Sequence, residues 1–426
     1  MKPLLFKSAA ELLEAVLKGT APADGQMERY FRAHPKLGVR DRGVIAETVY
    51  TCLRRRRFLE YLATGTADGH ASADDLVAAA LVGLQGLSAR ALTDAGCRGD
   101  AVRLAERARN LDPSMLPPGV ALDLPDWLLE RLMKQYGETE TGALAAALNQ
   151  PATLDVRINT LKATRDEVAA CLAEAGFPAE PTPYSPFGLR RTERAPLFKT
   201  RCFSEGLFEV QDEGSQLLSL LVEPKRQEMV ADFCAGAGGK TLELAALMAN
   251  SGSVYAFDVS GKRLDRLKPR LARAGLHNVR AVVIDDERDP RVRRLEGKFD
   301  RVLVDAPCSG TGTLRRSPDI KWRAIDLERL VSTQRAILAA AARLVKPGGR
   351  LVYATCSLLA EENDAVTDDF LAAHPDFVPL ATADILARRQ IELPAAGTGP
   401  ALRLLPHRHH TDGFYALAME RRAINL

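Results

Sequence analysis

Long apolar runs are absent from this sequence of 426 residues. No stretch approaches the roughly 18 consecutive apolar residues of a membrane-spanning helix, which excludes that class of membrane protein. The apolar part of residues 1–7 is too short for a secretory signal. We therefore expect a cytoplasmic chain that has no membrane partner.

Paired cysteine motifs are also absent. The seven cysteines are odd in number and none belongs to a Cys-x-x-Cys pair, which argues against a disulfide framework and a zinc knuckle. We expect reduced thiols, and inert buried side chains at Cys52, Cys97, Cys171 and Cys202. The histidines at 407, 409 and 410 have no accompanying cysteine or aspartate at metal-ligand spacing, so they indicate a surface loop and no metal site.

A strong charge imbalance is missing too, since the net charge is only +3. The charge is nevertheless uneven: residues 29–57 hold nine Lys or Arg against two acids, and end in the run Arg54–Arg57. Such a run is typical of a solvated helix face. It is equally compatible with a patch that contacts phosphates, and both interpretations stay open.

The chain length predicts two or three domains. Residues 1–120 have helical spacing of apolar residues, and residues 121–225 alternate short strands and helices as a small α+β module. Residues 226–426 alternate strands and helices, which predicts a parallel, doubly wound sheet closed by an antiparallel strand at 414–419. The predicted strands are 230–233, 254–257, 279–284, 302–304 and 351–354, and the predicted helices are 241–249, 261–274, 325–345 and 361–373.

Two cysteines follow strands of this sheet. Cys308 comes after the apolar run 301–304, and Cys356 comes after the run 350–353. Ligands of an open parallel sheet bind beyond the carboxyl ends of its strands, so both thiols are expected at one crevice. Two thiols in one pocket indicate covalent chemistry with separate roles in attack and release.

A glycine-containing loop, residues 232–241 (DFCAGAGGKT), follows the first strand and opens a helix. Glycines let the backbone approach a ligand, and a helix N-terminus presents free N–H groups. A nucleotide-binding P-loop is excluded because Cys234 occupies the position of its first glycine. A dinucleotide stays possible, although the spacing Gly-x-Gly-x-x-Gly is missing.

Acidic residues end the next two strands. Asp258 stands twenty residues after Gly238, where a carboxylate can bind the hydroxyls of a ribose. Asp285 and Asp286 end the third strand and can accept a hydrogen bond from an exocyclic amine. Either acid alone is as well explained by a strand-end turn or a helix cap. Together with the loop they favour a nucleoside cofactor such as S-adenosylmethionine.

Three segments resemble the Nop2/Sun family of RNA cytosine-5 methyltransferases. Residues 299–310 (FDRVLVDAPCSG) with 314–322 (LRRSPDIKW) are similar to its fourth motif, and residues 353–357 (YATCS) with 361–363 (EEN) to its sixth. The ending 406–415 (PHRHHTDGFY) is also similar, and the likeness begins near 157–160 (RINT). Within the family, the chain most resembles bacterial members that methylate small-subunit ribosomal RNA.

The resemblance implies a Rossmann-like class I methyltransferase sheet, preceded by a small RRM-like α+β module and an all-helical NusB-like RNA-binding domain. It implies a monomer whose partner is RNA, ribosomal RNA in the first place. The alternatives are the same chemistry on tRNA or another RNA, and a non-catalytic RNA-binding assembly factor. A DNA cytosine methyltransferase, which attacks with the Pro-Cys thiol, is a further possibility.

The resemblance also assigns roles to residues. Cys356 attacks C6 of cytosine, Cys308 acts in the release step, and Asp305 contacts the base near N3. The residues that surround S-adenosylmethionine are Cys234, Ala235, Gly236, Ala237, Gly238, Gly239, Lys240, Asp258, Arg263, Asp286 and Asp305. Asp286 is preferred over Asp285 because it aligns with the family's Gly-Asp pair. The family loop has proline where this chain has Ala237, and the change removes a φ restraint but no backbone donor. Trp322 is compatible with RNA contact and with a core anchor alike.

Overall fold

The computed structural model describes residues 1–19, 21–97, 99–394 and 399–423. They form two compact units. The first contains Met1–Pro151 together with Thr313–Ile325, and the second contains Ala152–Gly312 and Asp326–Leu426. No helix in the described ranges is both long and apolar enough to cross a membrane.

The first unit is helical, as the sequence predicts. An apolar stripe on its first helix, which includes Leu12 and Leu13, packs into a core around the fifth helix, where Leu76 and Leu81 are fully buried. Ser72 caps the fifth helix by accepting the N–H of Asp75. The helices are α1 (Pro3–Leu17), α2 (Ala23–Ala33), α3 (Val39–Arg54), α4 (Arg56–Thr64), α5 (Ala73–Gly83), α6 (Ala89–Asp94), α7 (Ala101–Asn110), α8 (Pro118–Ala121) and α9 (Asp126–Leu148, interrupted at Gly137), with 3-10 turns at Pro113–Met115 and Pro318–Trp322.

The segment 313–325 belongs to this helical unit although it follows the Cys308 motif in sequence. The Lys321 ammonium is buried and donates to the carbonyl oxygens of Arg54 (3.1 Å) and Asp123 (3.0 Å) and to the side-chain oxygen of Asn149 (2.5 Å). The Trp322 indole donates to the carbonyl of Leu53 at 2.6 Å. The anchoring role of Trp322, one of two open interpretations, is therefore the one that the structure shows.

The arginine run 54–57 is engaged within the same unit. Arg54 is buried and donates to the carbonyl of Arg315. Arg55 pairs with Asp123, Arg56 with Glu60, and Arg57 with Asp126. The run is thus not simply a solvated face, because each guanidinium has a partner in the unit that holds it. Contact with phosphates stays a prediction.

The second unit begins with a small sheet in the order β2-β3-β1-β4, whose pairs are all antiparallel. Its apolar face packs against two helices that carry Cys171 and Cys202. The elements are β1 (Leu154–Ile158), α10 (Arg165–Glu174), β2 (Glu180–Pro181), β3 (Gly188–Arg191), α11 (Arg201–Ser204), β4 (Phe208–Val210) and α12 (Glu213–Val222), with a 3-10 turn at Leu197–Lys199.

Cys171 and Cys202 form a disulfide bond in this module. The expectation of reduced, inert thiols is wrong for these two residues. They are separated by 31 positions in sequence and have no pairing motif. The packing of α10 and α11 on the small sheet brings them together, and that packing is not visible in the spacing of the cysteines.

The remaining elements build the main sheet and the layers that cover it. They are β5 (Met229–Phe233), α13 (Gly239–Leu247), β6 (Ser253–Asp258), α14 (Gly261–Asp265), α15 (Leu267–Ala274), β7 (Val279–Val283), α16 (Pro290–Arg293), β8 (Phe299–Asp305), α17 (Leu327–Leu344), β9 (Val345–Thr355), α18 (Asp364–Ala373), β10 (Phe377–Leu380), α19 (Thr382–Ala387), β11 (Leu402–Leu404), α20 (Pro406–His409) and β12 (Phe414–Arg421), with a 3-10 turn at Thr311–Thr313.

Among the described residues the main sheet has eight strands, ordered β10-β12-β9-β8-β5-β6-β7, with β11 paired to β12. Strands β7, β6, β5, β8 and β9 are parallel, and β12 joins β9 in the antiparallel direction. The Rossmann-like α/β class is confirmed. The strand order reverses between β5 and β8, and such a switch point is where open α/β sheets bind ligands.

Candidate active site

The loop after β5 turns sharply over the end of β6. Cys234 has a φ of +79°, a left-handed conformation that is uncommon outside glycine. The N–H groups of Cys234 and Ala235 both donate to the carbonyl of Phe257, at 3.0 and 2.8 Å. Burial raises the pKa of the Cys234 thiol, so this residue contributes backbone and no reactive sulfur.

Two glycines of the loop lack room for a side chain. Gly236 has a φ of +59°, and a Cβ there would lie 2.4 Å from the guanidinium of Arg263. Gly238 has a φ of +84°, and a Cβ there would lie 2.2 Å from Leu267. A Cβ at Gly239, which opens α13, would meet no atom within 4 Å. The loop conformation therefore depends on the first two glycines.

Asp258 fixes this loop from the end of β6. Its buried carboxylate accepts the N–H of Gly236 at 2.8 Å and the N–H of Ser260 at 2.7 Å, and Arg263 approaches to 3.5 Å. A carboxylate has about four acceptor positions, so these contacts leave capacity for a ligand hydroxyl. Asp258 thus caps the end of β6 through Ser260, and it also lies beside the glycine loop, which is the position predicted from the sequence.

The acids after β7 lie beside the same edge. The N–H of Ile284 donates to the carbonyl of Asp258 at 3.1 Å, so the ends of β6 and β7 meet. The Asp285 side chain is 90% exposed and pairs with Arg291. The Asp286 side chain is 48% exposed and accepts the N–H of Arg288. The lower exposure of Asp286 favours it over Asp285 as a ligand of a bound nucleoside.

The loop after β5 is joined to the end of β8 by a hydrogen bond between Lys240 and Asp305. The Lys240 ammonium, on the first turn of α13, lies 2.7 Å from a carboxylate oxygen of Asp305 at the end of β8. Burial alone would lower the pKa of Lys240, but the Asp305 carboxylate outweighs burial and the pKa is raised. The ammonium is therefore held in its charged form beside the loop after β5 and the end of β8.

The two thiols lie together as the sequence predicts. Cys308 and Cys356 follow β8 and β9, which are paired in register from Asp305 with Ala354, and their sulfur atoms are 3.4 Å apart. The hydrogen bond to Cys356 and burial raise the pKa of the Cys308 thiol well above its usual range. Cys356 also interacts electrostatically with the Lys240 ammonium.

Sequence reasoning missed several polar residues behind these loops. Asp232 is buried at the end of β5 and accepts the hydroxyl of Thr241 at 2.6 Å. Burial raises the pKa of Asp232 to about 6. A second missed set hydrogen-bonds around the thiols and consists of Ser309, Thr311, Gln334, Ser357 and Glu362. The positions of Ser309, Ser357 and Glu362 in the fourth and sixth motifs were the signal that the sequence gave.

The histidines near the C-terminal end do not form a metal centre. His409 is buried and hydrogen-bonds through its two ring nitrogens to the backbone of Pro394 and Leu405. Within the described ranges, no group of three or more histidine, cysteine, aspartate or glutamate side chains is arranged to hold a metal ion. His409 thus belongs to the core and not to a surface loop.

Two family models match the second unit and the end of the first. The family described as 16S rRNA methyltransferase RsmB/F matches residues 219–420. The ferredoxin-like domain of RsmF/B-like methyltransferases matches residues 124–197. The cofactor of this family is S-adenosylmethionine, and the strained glycine loop with acids at the ends of β6 and β7 fits that nucleoside.

Two solved structures share the fold. The crystal structure of PH0851 aligns over 99% of both chains with a TM-score of 0.79 and 28% identity. A methyltransferase homolog protein from Pyrococcus horikoshii aligns over 73% of this chain and 100% of its own, with a TM-score of 0.62 and 32% identity.

Relatives in sequence extend the match to the helical unit. Ribosomal RNA small subunit methyltransferase B of Sodalis glossinidius is 37% identical over 69% of this chain and 65% of its own length. A Synechocystis protein named as a probable ribosomal RNA small subunit methyltransferase B is 33% identical over 96% of this chain and 98% of its own length. Similarity of that extent, along nearly the whole of both chains, shows that this protein belongs to the RsmB/F methyltransferase family.

Proposed function

We propose that the protein methylates C5 of a cytosine in small-subunit ribosomal RNA through a transient covalent bond between Cys356 and C6. The observation that carries the proposal is the thiol pair, whose sulfur atoms are 3.4 Å apart at the ends of two neighbouring strands. Methylation that needs no covalent adduct has no use for a second thiol at this position. The names of the Synechocystis and Sodalis relatives support ribosomal RNA as the substrate.

The chemistry explains why two thiols are needed. C5 of cytosine is a poor nucleophile, and addition of a thiolate to C6 gives C5 the character of an enamine carbon. S-adenosylmethionine, when bound, supplies the methyl group. A base then takes the C5 proton, the electron pair of the C5–H bond re-forms the C5–C6 double bond, and the sulfur of the attacking cysteine leaves as a thiolate. Attack and release thus act on adjacent carbons of one ring.

The residues divide these steps between them. Cys356 is the nucleophile in this proposal, as the family resemblance implies, and the Lys240 ammonium interacts with it electrostatically. Cys308, whose sulfur lies 3.4 Å from that of Cys356, serves the release step in this proposal, in which its thiolate takes the C5 proton. Asp305 faces the base near N3, where a carboxylate favours a proton on the ring nitrogen as charge develops. Residues 234–240, Asp258, Arg263 and Asp286 hold the cofactor.

The substrate must present its base outside a helical stack. A base in a stacked duplex cannot reach a pocket at the end of a sheet, so we infer an accessible loop or an assembly intermediate as the target. A ribosomal RNA substrate places the enzyme in the cytoplasm. We propose that it acts as a monomer, with residues 1–120 and 121–225 as its RNA-binding domains and 226–426 as its catalytic domain.

Bisulfite mapping tests the proposal. Purified protein, S-adenosylmethionine and small ribosomal subunit RNA from cells that lack the protein should yield one or a few newly protected cytosines. Transfer RNA from the same cells is the parallel substrate. Protection of cytosines in transfer RNA alone would identify transfer RNA as the substrate in place of ribosomal RNA. Transfer of tritiated methyl to neither RNA would contradict the proposed activity and favour a binding protein.

A further inference from the structure

The carboxylate of Glu362 connects the segment after β8, which contains Cys308, with the segment after β9, which contains Cys356. We call these two segments the thiol loops. The side chain is fully buried. One of its oxygens accepts the N–H of Ser309 (2.8 Å) and the amide of Gln334 (2.9 Å). The other accepts the hydroxyls of Ser309 (2.5 Å) and Ser357. Four donors therefore occupy the roughly four acceptor positions of the carboxylate.

These donors come from both sides of the thiol pair. Ser309 follows Cys308 and Ser357 follows Cys356, so a single carboxylate holds the residues next to both sulfur atoms. Gln334 on α17 uses the same amide to reach the carbonyl of Pro307 at 2.9 Å, on the other side of Cys308. The Cys308 loop is thus fixed before and after its thiol.

The backbone at Glu362 is itself anchored. The Tyr353 hydroxyl, on β9, donates to the carbonyl of Glu362 at 2.7 Å. The neighbouring Asn363 donates to the carbonyl of Ser357 (3.0 Å) and accepts the hydroxyl of Thr355 (2.6 Å). The carboxylate is consequently held close to the end of β9, which Cys356 follows, and reaches from there to Ser309, which follows Cys308.

We propose that Glu362 is a positioning residue that sets the distance between the Cys308 and Cys356 sulfurs. This inference rests on the proposed function, in which the two sulfurs act on adjacent ring carbons. A displacement of about 1 Å costs on the order of 100-fold in rate when reacting groups must be held in line. An amide at position 362 keeps the shape but turns one acceptor oxygen into a donor, which opposes the N–H and O–H groups around it.

Glu362→Gln tests the inference, with Asp368→Asn as the matched control. Asp368 is exposed on α18, so its variant removes one carboxylate charge close by in sequence without touching the thiol loops. We expect kcat to fall about 10- to 100-fold in Glu362→Gln while KM for RNA and for S-adenosylmethionine stays within a factor of about two. Asp368→Asn should retain wild-type values.

A second readout measures the thiols without RNA. Diamide takes two electrons and two protons from the thiols as they join in a disulfide, and peptide mapping follows the loss of free Cys308 and Cys356. Glu362→Gln should slow this bridging relative to wild type and to Asp368→Asn. If the wild type methylates no cytosine, the proposed function fails while the bridging rate still reports on positioning.

Ser357→Ala is the milder variant for the case in which Glu362→Gln does not fold. It removes one of the four donors and should give a smaller fall in kcat with the same unchanged KM. Unchanged kcat and unchanged bridging in folded Glu362→Gln would overturn the inference. A loss confined to KM would do so as well, because positioning of the sulfurs acts after the substrates have bound.

Discussion

Lys240 donates a hydrogen bond to Asp305 across 2.7 Å and so joins the loop after β5 to the strand that leads to Cys308. The same ammonium interacts with Cys356. One partly buried cation thus links the proposed cofactor loop, the proposed base contact and the proposed nucleophile. Its removal should affect the thiol chemistry as well as the binding of either substrate.

Lys240→Met should lower the single-turnover rate of methylation by about 100-fold, because the site loses the cation that holds Asp305 and interacts with Cys356. The rate of iodoacetamide labelling of Cys356, followed against pH, should be lower than in the wild type. Lys262→Met removes an exposed lysine of α14 and should change neither quantity. A labelling rate that does not fall would contradict the electrostatic role of Lys240.

Replacement of Cys308 and replacement of Cys356 should have different effects on the covalent RNA adduct. Cys308→Ala should accumulate a covalent RNA adduct that survives denaturing electrophoresis, because attack proceeds and release does not. Cys356→Ala should form no adduct, and Cys97→Ala in the helical unit should behave as wild type. Adduct in Cys356→Ala and none in Cys308→Ala would reverse the roles, and indicate attack by the Pro-Cys thiol as in DNA cytosine methyltransferases.

Gly238→Ala should weaken binding of S-adenosylmethionine by at least about 10-fold, measured by calorimetry. The new Cβ would lie 2.2 Å from Leu267 on a backbone with a φ of +84°, so the loop must change shape. Gly239→Ala, whose Cβ meets no atom within 4 Å, should show a clearly smaller loss. Equal losses in the two variants would mean that loop conformation is not the cause.

Lys321 should make the stability of the helical unit depend on pH. Burial lowers the pKa of Lys321 from 10.5 to about 7, so between these values the unfolded chain binds a proton that the folded chain does not. Stability should therefore rise with pH from about 7 to 10, by on the order of a few kcal/mol. Thermal unfolding of wild type and Lys321→Met across this range should show a steeper rise in the wild type. Parallel curves would contradict the assignment.

The disulfide in the small module is testable by peptide mapping without reductant. Cys171 and Cys202 should be recovered as a linked pair, and Cys308 and Cys356 as free thiols. Cys171→Ala should lower the free energy of unfolding of the module by about 2–4 kcal/mol, as is usual for loops of this length. Recovery of Cys171 and Cys202 as free thiols from protein quenched in acid would restore the original expectation of reduced cysteines.

The sequence was sufficient for β5, β6, β7, β8, β9 and β12 of the main sheet and for the meeting of Cys308 and Cys356. Buried parallel strands appear as apolar runs, and thiols placed after such runs must share one edge. The short strands β10 and β11 were missed because three or four residues carry no periodic signal, and β10 contains Pro379.

Partners that are distant in sequence could not be predicted. Arg55 and Arg57 pair with Asp123 and Asp126, more than sixty positions away, and no local pattern selects those acids. The sixth motif marks Glu362 in the sequence, but its contacts with Ser309 and Gln334 become visible only when β8 and β9 lie side by side. The predicted domain boundaries and the residue roles at the site stay predictions.

The inclusion of residues 313–325 in the helical unit has a consequence for how the gene can be divided. The chain passes between the two units at three places, near residues 151, 312 and 325. A protein that starts at residue 152 keeps Lys321 and Trp322 but loses Leu53, Asp123 and Asn149, to which they are hydrogen-bonded. The helical unit is therefore not a detachable accessory. A truncated protein would expose Trp322 and leave Lys321 without these partners, in the segment that follows Cys308.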